Sequence, residues 1–185
     1  MTAWAHPTAI VGHPPMHRDW RGAPAAWKGY RIGDDAKLEA FVIVEQGIWR
    51  PTVVEDGAWL MPYVLVGHDA IVGAGCEVAA HTVIAAHSVV GSGAKLGLGT
   101  IMRPGTIIGA GARTGAGAVV VSDIPEGETW VGNPARPLVR RGAPTANLID
   151  DDEAEAMAAA AGISDWADTV GRWHVSPVGE RHPCS

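Results

Sequence analysis

Read every sixth residue from Val54, and the chain gives Val54, Leu60, Val66, Val72, Val78, Ile84, Val90, Leu96, Met102, Ile108, Thr114 and Val120. Only Thr114 is not large and apolar. The next residue is glycine at Gly67, Gly73, Gly91, Gly97, Gly109 and Gly115. Four residues past each large one comes a smaller one, from Ala58, Val64, Ala70 and Cys76 on to Ala112 and Ala118, with Ile124 last. A fixed period marks a repeat architecture. A helix would bring its apolar stripe back after about 3.6 residues, so a period of six excludes it. Six is even and suits the two-fold alternation of extended backbone. The glycines argue the same way, since each costs roughly 1 kcal/mol inside a helix relative to Ala. A coil of short strands with a turn after each satisfies the pattern. Large side chains stack inside it, small ones fill the corners, and glycine supplies turn angles closed to other residues.

Hexapeptide repeats of this kind build parallel β-helices. The pattern resembles the left-handed β-helix of the hexapeptide-repeat acyltransferases. That resemblance implies three hexads per triangular coil, with coils stacked about 4.8 Å apart. The expected fold is all-β, a left-handed parallel β-helix followed by a short helical tail.

The charge balance divides the chain. The net charge is −6, from 14 Lys+Arg and 20 Asp+Glu. Eight of the acids and two of the bases lie beyond Pro144, which leaves 12 of each before it: a neutral body and an acidic tail. Nothing is basic enough to track nucleic-acid phosphates. Cys76 and Cys184 do not make a disulfide framework. No apolar run is long enough to span a membrane, and no secretory signal opens the chain. A cytoplasmic setting is the expectation.

Residues 1–31 read as a partial coil, with Ala9 and Val11 in the small–large relation of the hexads, followed by an excursion from Met16 to Tyr30. Residues 32–138 carry the β-helix, with hexads resuming at Ile32, Leu38 and Val44. Val44 and Val54 are ten apart, so about four extra residues are expelled, placed around Arg50 to Val53. A loop thrown out of a regular stack is where function is often placed. Residues 139–185 form the tail, with a short helix expected from Glu153 to Ala161 and an acidic N-terminus at Asp150–Asp152.

Inward positions are filled by the repeat, so chemistry falls to turn residues. His68, Asp69, His81 and His87 lie within twenty residues of one another. With eighteen residues per coil, His87 falls above Asp69 and Ala86 above His68. Glu45, Gln46 and the Arg50 bulge come near the same corner from below, and His81 falls at a different one. A lone turn histidine is ordinarily a solvated residue or a packing one. Two histidines with a flanking acid beside an expelled loop can instead do proton transfer, because an imidazole near its ordinary pKa of about 6.5 is suited to general-base work.

Two segments carry a more specific resemblance. Leu60–Gly73, with Gly67-His68-Asp69-Ala70-Ile71-Val72-Gly73, is similar to the catalytic segment of the lipid A UDP-N-acetylglucosamine O-acyltransferases, and Cys76, Ala79 and Ala86-His87 continue the match. The His-Asp-x-x-Val-Gly step is shared with nucleotide-amino-sugar N-acetyltransferases. The resemblance implies His68 as general base, the Ala86 N–H as oxyanion donor and His87 as a further functional residue, with Asp69 supporting His68. Leu65 stands where the lipid A enzyme has another histidine, so the reaction type carries over better than the substrate. Trp130-Val131-Gly132-Asn133-Pro134-Ala135-Arg136 is similar to the segment after the β-helix in CoA-dependent hexapeptide acetyltransferases. It implies a donor site at Gly132, Asn133, Pro134 and Arg136, with Arg103 assigned to the same role. A turn that merely ends the helix accounts for the same residues.

The expected activity is transfer of an acyl group, acetyl in the first place, from a CoA or acyl-carrier-protein thioester to a hydroxyl or amine of a nucleotide-linked sugar. Glu45, Gln46, Arg50, Met61 and His81 are the candidate substrate contacts. The family implies a homotrimer with sites between subunits, and neither a metal nor a permanently bound cofactor is expected. Two alternatives stay open. One is a non-catalytic trimeric scaffold. The other is a zinc protein like the γ-class carbonic anhydrases, although these need a His pair five apart, whereas His81 and His87 are six apart and Gly73 occupies a partner position for His68.

Overall fold

The computed structural model describes residues 2–15 and 27–138. The tail expected over 139–185, with its helix, and most of the Met16–Tyr30 excursion lie outside the described residues.

The described chain winds as a parallel β-helix with three flat faces. The first face stacks β1 (Trp4–Ala5), β4 (Lys37–Leu38), β7 (Trp59–Leu60), β10 (Glu77–Val78), β13 (Lys95–Leu96), β16 (Arg113–Thr114) and β18 (Thr129–Val131). The second stacks β2 (Ile10–His13), β5 (Ile43–Glu45), β8 (Leu65–Val66), β11 (Val83–Ile84), β14 (Ile101–Met102) and β17 (Val119–Val120). The third stacks β3 (Tyr30–Ile32), β6 (Thr52–Val54), β9 (Ile71–Val72), β12 (Val89–Val90) and β15 (Ile107–Ile108). Pairing advances by eighteen residues per lap, as in Val66 beside Ile84 and Val72 beside Val90. The last strand, β19 (Arg136–Pro137), turns back antiparallel on β18 and closes the end of the first face.

The inward residues make one continuous core. Leu38, Leu60, Val66, Ile84, Val90 and Met102 are essentially inaccessible. Burying each such side chain stabilises the coil by about 1.5–3 kcal/mol. Ile124 joins them: it lies beside Ile108 as the next large inward residue, not in the corner slot that the hexad count assigns it. The final hexad is therefore shortened.

Every regular turn places the third residue after the large one in the left-handed region. Gly75 and Gly93 do so at φ +64° and +68°, with open space where a Cβ would stand. The glycines directly after the large residues serve another purpose. A Cβ on Gly67 would lie 2.7 Å from the Ala86 nitrogen one lap above, so glycine is required there by close approach of backbones and not by turn angle.

Two boundaries differ from the periodicity. Tyr30 already belongs to β3, so the excursion ends before it. The four extra residues are 47–50, not 50–53: Thr52 fills the small corner position and Val53 pairs with Ile71 inside β6. Counting from Val44 to Val54 shows how many residues are extra but not which. The choice is made by Thr52, whose hydroxyl accepts the Asp69 N–H at 2.9 Å.

A candidate active site at one corner of the β-helix

The corner between the second and third faces holds the polar cluster. Here the turn after Val66 places Gly67, His68 and Asp69, and the turn after Ile84 places Ala85, Ala86 and His87 directly above. The two laps are tied by the His87 N–H donating to the His68 carbonyl at 3.0 Å. The imidazoles meet edge to face with ring centres 5.0 Å apart.

Asp69 is the hub. It is fully buried and sits at φ +61°, a conformation that disfavours most residues other than glycine. Its Oδ1 accepts the N–H groups of Ile48, Trp49 and Arg50 at 3.2, 2.8 and 2.7 Å. Its Oδ2 meets His68 Nδ1 at 2.7 Å and lies 3.9 Å from His87 Nδ1. Burial alone pushes this carboxyl up. The Arg50 N–H, the His68 ring and the N–H groups of Trp49 and Ile48 outweigh it and hold Asp69 below its ordinary value. An ionised carboxylate only accepts, so His68 Nδ1 carries the shared proton, and in the neutral imidazole the lone pair is then on Nε2. That is the tautomer a general base needs.

The support continues below. Glu45 is buried, and its Oε2 accepts the His68 N–H at 2.9 Å. Arg50 spans the corner, donating from Nε to the Asp69 carbonyl at 2.8 Å and from a terminal nitrogen to the His87 carbonyl at 3.4 Å. One lap above Glu45 its place is taken by Gly67, which has no side chain to offer. The Ala86 N–H consequently has no acceptor among the described residues, whereas the equivalent N–H groups of His68 and Ala74 are met by Glu45 and Glu55. An uncommitted N–H thus stands one lap above the imidazole.

Other sequence candidates fall elsewhere. Arg103 is exposed on this same corner, one lap above Ala85. Gln46 is turned to the N-terminal coil, its Nε2 donating to the Gly12 carbonyl at 2.9 Å. Met61 and His81 belong to the corner between the first and second faces. There His81 stacks on Tyr63 at 4.8 Å, and Tyr63 on Phe41 at 5.0 Å. Gly132, Asn133 and Pro134 form the turn between β18 and β19, and Arg136 donates to the Ala135 carbonyl. Within one chain these do not come to His68.

The periodicity did not single out Trp49. It rides on the 47–50 loop with its ring centre 6.0 Å from that of His68 and 5.1 Å from that of His87. One sequence signal was available for the site: Asp69 and His87 stand where most turns carry glycine. As for metals, one donor atom each from His68, Asp69 and His87 lie within 4.8 Å of one another. An ion there would compete for carboxylate oxygens already engaged by three N–H groups and an imidazole.

Comparison with known proteins bears on the repeat and the fold. The bacterial transferase hexapeptide model (six repeats) matches residues 51–86. UDP-3-O-acylglucosamine N-acyltransferase 2 of Nitrobacter winogradskyi is 59% identical over 109 residues, covering 59% of this chain and 32% of that protein. The repeat and the fold are those of the hexapeptide-repeat acyltransferases. Among solved structures, PerB from Caulobacter crescentus, crystallised with CoA and GDP-perosamine, is 29% identical with a TM-score of 0.61, over 74% of this chain and 57% of that one. The UDP-N-acetylglucosamine acyltransferase of Bacteroides fragilis superposes with a TM-score of 0.70 at 24% identity, over 74% and 53%, a likeness of left-handed β-helix fold. The chain spans about a third of the length of the curated relative it matches.

Proposed function

We propose that the chain transfers an acyl group, most simply acetyl, from a CoA or acyl-carrier-protein thioester to an amine or hydroxyl of a nucleotide-linked sugar. The observation that carries this reading is the His68–Asp69 pair at 2.7 Å beside an uncommitted Ala86 N–H. His68 Nε2 takes the proton of the attacking group. The sugar nitrogen or oxygen bonds to the thioester carbon, and the carbonyl oxygen gains negative charge. The Ala86 N–H meets that charge, a contribution of about 3–4 kcal/mol where comparable donors have been removed from enzymes. Collapse expels the thiolate, which recovers the proton from His68. Asp69 holds the ring and offsets its transient charge, and His87 positions the reacting groups. Arg103 and the Gly132–Arg136 segment take the donor.

The outer surface supports a trimer as the working unit. The second face presents Ile43, Leu65, Val83, Ile101 and Val119 outward, and the third presents Val53, Ile71, Val89 and Ile107. The first face presents Lys37, Trp59, Glu77, Lys95 and Arg113, four of the five charged. Two apolar faces flanking the His68 corner favour copies packed about it, which would also bring a neighbour's donor segment within reach.

The test is thiol release from acetyl-CoA with a panel of nucleotide sugars, using the wild-type chain and His68→Ala. Turnover by the wild type and none by a variant of unchanged assembly size is expected. Retained turnover in the variant would overturn the general-base role.

A further inference from the structure

The corner has a direction along the helix axis. Ala86, which would receive the thioester oxygen, lies one lap above His68. Above His87 in turn stands Gly105, whose N–H is bonded to the Ala86 carbonyl at 3.0 Å and which has nothing in place of a side chain. The space over Gly105 is open, with the exposed Arg103 beside it, which is the side that the proposed function leaves to the donor. The 47–50 loop belongs to the lap beneath and rises against the two imidazoles from the other side. It carries a large aromatic ring, 60% exposed, beside both.

Resting on the function proposed above, we infer that Trp49 is the acceptor-binding residue that selects the sugar: its indole is the surface on which a pyranose ring lies while His68 takes the proton. The chemistry fits. One face of a pyranose is a patch of C–H bonds, apolar and slightly positive, which suits the negative face of an indole. A saturated ring laid there holds its amine or hydroxyl toward His68 and leaves the Ala86 side to the thioester. The loop is rigid enough to set that position. Asp69 grips the backbone N–H groups of residues 48, 49 and 50, and Arg50 is anchored to two carbonyls. Those bonds run to main-chain amides and from the Arg50 side chain, and Trp49→Ala keeps every group that makes them.

Saturation-transfer NMR on the full chain, with UDP-glucosamine and GDP-perosamine as probes, tests the inference together with steady-state kinetics. In the wild type the sugar-ring protons receive the strongest transfer. In Trp49→Ala that signal is lost while the base protons keep theirs, and acceptor KM rises about tenfold or more with donor KM unmoved. Trp49→Phe restores most of both. Equal saturation of the sugar ring in wild type and Trp49→Ala, or a loss confined to donor KM, overturns the assignment and leaves the proposed function standing. If neither probe binds the wild type and no nucleotide sugar supports thiol release, both the assignment and the proposed function fall.

Discussion

Two corners of this β-helix break the same rule for opposite ends. Most turns put glycine in the left-handed position. The corner between the first and second faces instead has Phe41, Tyr63 and His81, at φ of 60°, 64° and 61°. The corner between the second and third faces has Asp69 and His87, both at 61°. In the first, the departures make an exposed ladder of stacked rings bound mostly to one another. In the second, they make a network in which a buried carboxylate satisfies three amides and orients an imidazole. A left-handed side chain is thus not a mark of chemistry by itself. What separates the two corners is burial and the number of donors converging on one group.

If that contrast is sound, His68→Ala lowers kcat by about 100- to 10,000-fold, the range in which general-base catalysis contributes. Tyr63→Ala, at the other corner, leaves kcat within about threefold. Equal losses in a thiol-release assay would erase the distinction.

Asp69→Asn sharpens it in stability. Weaker acceptance from three amides and an imidazole should lower unfolding free energy by at least about 2 kcal/mol near neutral pH, measured by urea titration. Because the folded-state pKa is lowered, wild-type Asp69 contributes its stability above the unfolded carboxyl value of about 3.9 and loses it as pH falls through the lowered value. The gap between wild type and variant should therefore narrow only in acid. A constant gap from pH 7 to pH 3 would contradict the charged network.

Gly67→Ala and Gly99→Ala compare two reasons for glycine. The first puts a Cβ 2.7 Å from the Ala86 nitrogen and forces backbone to move, for about 1–3 kcal/mol and a fall in kcat through the displaced N–H. The second has open space around it and only the strain of φ +65°, about 1–2 kcal/mol, with kcat retained. The smallest effect is expected for Tyr63→Gly. Relief of the left-handed strain offsets the lost stacking, and the net change in thermal unfolding corresponds to less than about 1 kcal/mol.

Much of this architecture was legible because one period controls both packing and adjacency. A side chain repeating in sixes had to face inward, and laps of eighteen set His87 over Asp69 with no tertiary information. Legibility failed where the period paused. The spacing from Val44 to Val54 counted four surplus residues but could not say that Thr52 stays in the coil, so Trp49 went unremarked. Nor could periodicity tell which oxygen of Asp69 serves which partner, since that depends on a loop folding back across the corner. The two kinds of glycine look alike in sequence and separate only when the lap above is in place.

The grip on the 47–50 loop has an evolutionary corollary. Asp69 clasps main-chain amides, which every residue but proline supplies, so the tip can be exchanged while the clasp stays shut. If the indole seats the sugar as inferred above, exchanging the aromatic at position 49 changes the choice of acceptor while the His68–Asp69 pair is inherited untouched.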